Sequence, residues 1–313
     1  MKKLMQYITL VSGITVLCLF GINFIVERSL KKQTEDVYGK LNEIFEGKEN
    51  FDLLFVGSSR VLVQINPMVI DTILSINSFN AGLDGISIVE CKMVIESYLD
   101  KHQAPQALVL NMDMGSMEIT DTYQEFDYPL FLPYLNHKYV KQTLYEYTPS
   151  VKFLGCFPFL KPAYYNDFKK YLALKAIAHL KQSKKNILYK GYAPKDRAWR
   201  GQNIQSHYKP AYSITGISLF KDILNICNQH KIIPIVVYAP QTEELTNSTD
   251  NFSLYKNFLK EICQNYKGYF LDYSTIPITK NKKYFYNHLH LNDKGADIYS
   301  TLMANDLKLM VKN

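Results

Sequence analysis

The sequence predicts an α/β fold, a three-layer α/β/α, flavodoxin-like parallel sheet of about five strands. Three observations predict it. Continuous apolar runs such as FDLLFVG (51–57) and KIIPIVVYAP (231–240) have the composition of strands buried on both faces. Segments with apolar residues at helical spacing separate these runs, and strands alternating with helices argue for a parallel sheet covered on both faces. Composition is globular: 47% of the 313 residues are apolar and 21% charged, with 14 Gly and 12 Pro, which excludes a disordered or collagen-like chain.

The elements follow in order. Leu4 to Val26 is a run of 23 uncharged residues. At about 1.5 Å per residue it is long enough to cross a hydrocarbon core of about 30 Å. A cleaved signal peptide would have a shorter apolar core and a small-x-small cleavage site, whereas Val26-Glu27-Arg28 follows this run directly, and Leu17 before Cys18 fits a lipobox poorly. Residues 1–27 are therefore expected to form a retained single-pass anchor. Lys2 and Lys3 on one side balance Arg28, Lys31 and Lys32 on the other, so charge bias does not set its orientation. Residues 28–50 read as a helical stalk.

The α/β domain then spans 51–313. Strand one is 51–57. Asn66-Pro67, an N-cap followed by Pro in the first turn, opens a helix to about Leu74. SINSFNAG (75–82) is a shorter second strand. Ile86 to Lys101 is a helix with Asp84 as a candidate cap, and QALVLNMD (106–113) is strand three. Ile217 to Gln229 is helical, 231–240 is strand four, Phe252 to Asn265 is helical, GYFLDY (268–273) is strand five, and Asp293 to Val311 is the last helix.

Residues 114–216 interrupt this rhythm as a long insertion that contains a basic helical stretch at 165–185. It holds 13 of the 24 Tyr and 15 Lys plus Arg against 7 Asp plus Glu, net +8, so the rest of a chain at +7 is at −1. Two readings are open for it: a surface for sugar rings and anionic lipid or glycan, or a lid with Tyr in its core and Lys on a solvated face. Tyr123, Tyr128, Trp199 and Arg200 are its candidate contributors. The five cysteines, Cys18, Cys91, Cys156, Cys227 and Cys263, form no C-x-x-C or Cys/His cluster and read as small core residues outside the anchor. No metal and no cofactor are expected.

Two places have residues suited to chemistry. Gly57-Ser58-Ser59-Arg60 directly follows strand one, where a sharp turn can expose a serine hydroxyl above the sheet with backbone N–H groups beside it. Such serines are also ordinary turn and cap residues, and the glycine density of a phosphate-binding loop is missing. Tyr286-Asn287-His288-Leu289-His290-Leu291-Asn292 precedes the last helix. A hydroxyl nucleophile needs a base, and histidine is the usual one near neutral pH. His290 falls beyond strand five, on the same sheet edge as Ser59.

FVGSSR, NAG and the terminal NHLHLNDKGADIYS together resemble the SGNH/GDSL hydrolase-like superfamily. The similarity is to its membrane-anchored extracytoplasmic branch, which serves teichoic-acid D-alanyl transfer and alginate-type O-acetylation. It covers roughly 50–113 and 217–311, not the insertion. The resemblance implies an SGNH-type fold with Ser59 as nucleophile and His290 as base. It implies an oxyanion hole from the Ser59 and Gly82 N–H groups, with Asn111 or Asp113 as the nearest match to a third donor. Arg60 and Asp113 become candidate substrate-binding residues, although Arg60 also reads as a salt-bridged scaffold residue. One position departs from the pattern: the family's Asp before the histidine is Asn287 here. An amide orients the ring but does not stabilise imidazolium by charge.

The expectation is a membrane-anchored serine O-acyltransferase or esterase with its catalytic domain outside the cytoplasm. Its acceptor would be a cell-surface or exported polysaccharide, and its acyl donor would come from a membrane-bound acyltransferase. The alternative is a catalytically degenerate accessory protein of a polysaccharide-modifying complex, which Asn287 favours. A nucleic-acid partner is not expected, because the anchor argues against it.

Overall fold

The computed structural model describes residues 1–34, 36–119, 127–178, 188–204 and 207–311. The chain divides into two compact units, Met1–Phe45 with Asp127–Asn186, and Glu46–Phe126 with Ile187–Asn313. These boundaries differ from the sequence expectation. The stalk residues after α1 fold into the first unit, and the 114–216 insertion is split between the two.

The first unit is helical. Helix α1 is Lys2–Leu30 and α2 is Val37–Glu46. Asn42 on α2 donates to the Leu30 and Gln33 carbonyls, which folds α2 back on the end of α1. The later helices of this unit are α6 (Lys138–Tyr147), α7 (Val151–Cys156) and α8 (Asp167–Ile177). Its core is aromatic: the Phe45 and Tyr134 ring centroids are 4.8 Å apart, and the Tyr134 hydroxyl donates to Asn42 Oδ1 at 2.5 Å. An 18-residue stretch of the 29-residue α1 has a mean hydropathy of 2.2, so the helix is long and apolar enough to cross a membrane. The expected basic helix is shorter than 165–185: α8 ends at Ile177, and 179–185 lie outside the described residues, as does Tyr123.

The second unit holds the sheet. Among the described residues its strands are β1 (Leu53–Val56), β2 (Ser78–Asn80), β3 (Ala107–Asn111), β4 (Ile233–Tyr238) and β5 (Tyr269–Asp272). All pairings are parallel and the order is β2-β1-β3-β4-β5, the flavodoxin-like order that the sequence predicts. Every residue of β1 and β3 is buried, which is why their sequences are apolar without alternation. β5 is the half-exposed edge.

Helices cover both faces. On one side α3 (Ser59–Gln64), α4 (Pro67–Leu74) and α12 (Asp293–Leu307) pack together over Phe55, Val109 and Val237. On the other lie α5 (Ile88–Lys101), α9 (Ile214–Gln229) and α11 (Phe252–Asn265); the short α10 (Glu243–Asn247) follows β4. Caps follow local chemistry. Asn66 caps α4 with Pro67 at its start, and Asn292 caps α12 by accepting from the Gly295 N–H. Helix α5 is capped by Ser87, not Asp84: Ser87 and Glu90 form a reciprocal capping box. Cys91, Cys227 and Cys263 are buried, and burial pushes the last two thiols up to about 12; Cys156, expected in a core, is exposed.

Candidate active site

The carboxyl edge of the sheet gathers the chemistry-bearing residues, as doubly wound folds do. The chain leaves β1 at Gly57, which sits at φ +153°. A Cβ there would fall 2.6 Å from Val61 Cγ2, so both conformation and space demand glycine. This turn delivers Ser58 and Ser59 to the start of α3. Ser59 Oγ lies 2.8 Å from His290 Nε2, across a sequence separation of 231 residues.

The loop before α12 holds His290 in place. Asn287 Oδ1 accepts the backbone N–H groups of Leu289 and His290 at 3.0 and 2.9 Å. Both donors are backbone amides, so the Asn287 atom between them is the oxygen, and the amide cannot flip without losing both bonds. The same oxygen lies 3.0 Å from His290 Nδ1. Nδ1 therefore bears the proton and the bare Nε2 accepts from the Ser59 hydroxyl. Buried Gln64 on α3 donates to the Leu289 carbonyl at 2.6 Å, and the Tyr286 ring stacks on His290 at 5.3 Å. Burial, followed by the Arg60 charge, lowers the His290 pKa to about 4; Asp113 and Asp84 act in the opposite direction. The imidazole is neutral at pH 7, as a proton acceptor must be.

Ser58 points elsewhere. Its hydroxyl donates to Asp113 Oδ2 at 2.5 Å, while Arg60 Nη1 and Asn111 Nδ2 donate to Asp113 Oδ1 at 2.5 and 2.8 Å. The Arg60 side chain is 2% exposed, donates also to the Ala239 carbonyl, and lies 4.9 Å from the Tyr238 ring centre. Arg60 is thus an enclosed cation at the sheet edge, which fits the salt-bridged scaffold reading of this residue. Asp113, partly exposed, is its counter-ion.

Two of the expected oxyanion donors, Gly82 and Asn111, are engaged within the protein. The Gly82 N–H donates to Asn80 Oδ1 at 3.0 Å, and Asn80 itself donates to the Val61 and Ile65 carbonyls. A Cβ on Gly82 would lie 2.6 Å from the Leu62 nitrogen, so close packing of this loop on α3 already requires glycine here. Both ends of the Asn111 amide are engaged, by Asp113 and by the Ala239 N–H at 3.0 Å. The Ser59 N–H remains in the first turn of α3, where helix geometry offers no intrahelical acceptor.

Residues 188–204 of the insertion lie against this loop. The Arg200 N–H donates to the Tyr286 carbonyl, and the Asp293 N–H to that of Lys195. The Trp199 ring meets His288 edge-on at 4.9 Å. The His288 nitrogens lie 2.7 Å from Thr242 Oγ1 and 2.6 Å from the Gln202 carbonyl, so the H-x-H pair is divided between structure and the Ser59 contact. A cleft of about 580 Å³ opens beside Asn287 and His288, lined also by Arg200, Gln202, Tyr208 and Leu245. Of the insertion candidates, Trp199 and Arg200 come to this loop; Tyr128 belongs to the first unit. Sequence reasoning missed Asn80, Thr242 and Gln202. Asn80 had a signal, an amide at the end of strand two directly before Ala81-Gly82, whereas Thr242 and Gln202 had none. Among known protein families and curated proteins, no match to the chain was found.

Proposed function

We propose that the protein is a membrane-anchored serine acyl-transfer enzyme of SGNH type. The observation that carries this reading is the Ser59–His290–Asn287 line, in which a hydroxyl faces the bare nitrogen of a neutral, oriented imidazole. Ser59 Oγ attacks the carbonyl carbon of an acyl donor as His290 Nε2 takes the hydroxyl proton. The tetrahedral oxyanion is met by the Ser59 N–H; a second donor requires the Gly82 N–H to leave Asn80 when substrate binds. His290 returns its proton to the leaving group, giving a Ser59 ester. A sugar hydroxyl or water, deprotonated by His290, then releases the acyl group and restores Ser59. The cleft beside Asn287, within the size range of small-ligand sites, has room for a polysaccharide acceptor.

Helix α1 anchors this unit, and the α/β unit lies outside the cytoplasm in this reading. A Lys221→Cys variant lacking the exposed Cys18 and Cys156 tests the orientation. An impermeant maleimide should label it in intact cells, and labelling only after lysis would reverse the assignment. The activity itself is tested by turnover of an activated acetyl ester by the full-length protein, lost in Ser59→Ala. Equal turnover by both would remove Ser59 from the reaction.

A second reading rests on two observations. Asn287 gives imidazolium no charge partner, and Gly82 is engaged internally. Both fit a degenerate accessory protein that retains the fold and binds glycan or a membrane acyltransferase. An inactive native chain that gains ester turnover through Asn287→Asp would favour this reading.

A further inference from the structure

The first unit has an apolar surface that the proposed chemistry does not use. On α8, Lys169, Leu172, Ala173 and Ala176 face inward, and Lys169 Nζ meets Asp127 at 2.5 Å. The outward face bears Phe168, Tyr171 and Leu174, exposed by 58, 56 and 67%. The outer side of α8 thus presents three large apolar or aromatic side chains, beside the exposed Asp167–Lys170 pair of its first turn. In water such side chains are unfavourably exposed.

The neighbours of α8 identify what covers it. Helix α8 packs against α1, and so does the 158–164 segment before it. The Phe159 ring lies 4.9 Å from Phe20, which is inside the uncharged run of α1, and Lys161 pairs with Glu27 at 2.8 Å just beyond that run. The segment leading into α8 therefore reaches the level of the apolar span. Phe153 and Phe157, also exposed, lie 4.8 Å from each other next to it. Any bilayer that surrounds α1 meets these side chains.

Charge selects the kind of bilayer. The first unit carries 16 Lys plus Arg against 7 Asp plus Glu, net +9, while the second is at −2. Arg28, Lys31 and Lys32 close α1, and Lys175 sits 5.9 Å over the Tyr171 ring, a long stem beside an aromatic that suits the headgroup layer. Basic residues beside an anionic surface are attracted to it. We propose that the α7–α8 face of the first unit is inserted into the interfacial layer of an anionic bilayer, beside the membrane-spanning α1. The unit then has two membrane contacts, one spanning and one lying in the interface. This holds whatever the α/β unit catalyses.

The test uses the full-length protein in phosphatidylglycerol–phosphatidylethanolamine vesicles. Trp199, the single Trp, is replaced by Phe, and one Trp is introduced by Phe168→Trp, Tyr171→Trp or Leu174→Trp, with Phe24→Trp, exposed near the Glu27 end of the α1 span, as the lipid reference. Lipids brominated near the headgroup end of their chains and aqueous iodide serve as the two quenchers. The proposal predicts that each α8 Trp loses emission to bromolipid as the reference does and is shielded from iodide. Quenching by iodide and not by bromolipid would overturn it. Resistance to both would mean that protein covers the face, and would overturn it equally. Three separate positions guard against one variant that fails to fold.

Discussion

Ser58 and Ser59 are neighbours in the chain and belong to opposite kinds of polar network. Ser59 enters a neutral line, His290 then Asn287, that is partly open to solvent. Ser58 enters a charged cluster, Asp113 with Arg60 and Asn111, that ties the ends of β1, β3 and β4 together. On the proposed function, the difference separates two tasks at this sheet edge. The charged cluster has the strong pairing that structure needs, and the neutral line has the bare nitrogen that proton transfer needs. The carboxylate at this edge is bonded to the arginine and the other serine rather than to the histidine.

The largest effect should come from the neutral line. Ser59→Ala is expected to lower ester turnover by roughly 10⁴-fold or more, since a nucleophile and its base act as a unit. Comparable turnover in Ser58→Ala sharpens the contrast, and equal loss in both would break it. Next comes the charged cluster. Arg60→Met leaves the Asp113 carboxylate without its cation, and denaturant unfolding should register a loss of about 3–5 kcal/mol. A change within error would mean that the cluster is not structural.

Asn287→Asp joins the two chemistries by placing charge beside His290. In the native chain the His290 pKa is lowered to about 4, so the ring is neutral above that value and kcat/KM should fall only as pH drops toward 4. With Asp present the imidazolium gains a partner. The acid limb should move up toward the ordinary histidine range, and turnover at neutral pH should rise by about 10-fold, equivalent to about one pKa unit. A profile that stays in place would show that Asn287 does not govern the ring. The smallest effect is the stability cost of Ser58→Ala, about 1 kcal/mol for one hydrogen bond to a partly exposed carboxylate.

Much of the α/β unit was legible in the sequence. Strands β1 and β3 are buried on both faces, so LLFV and ALVLN announce themselves without an alternating pattern, and right-handed crossovers leave few strand orders, of which the flavodoxin-like one is the expected. Ser59 and His290 were legible in another way: a G-S-S follows strand one, a histidine precedes the last helix, and the family resemblance singles out Ser59 over Ser58. What surrounds them was not. That the Gly82 N–H would meet Asn80, or that Arg60 would be enclosed by Ala239 and Tyr238, depends on contacts between residues far apart in sequence. The first unit shows the same limit on a larger scale. Its two halves are about eighty residues apart in the chain, and no local pattern in 28–50 or 127–178 tells that they share one aromatic core.

The central claim is that Ser59, and not Ser58, is a nucleophile activated by His290. Its most direct measurement is treatment of the full-length protein with a fluorophosphonate and location of the adduct by peptide mass spectrometry. The account predicts a single phosphonylated site at Ser59, retained in Ser58→Ala and lost in Ser59→Ala and His290→Ala. No adduct, or an adduct that persists without Ser59, would contradict it.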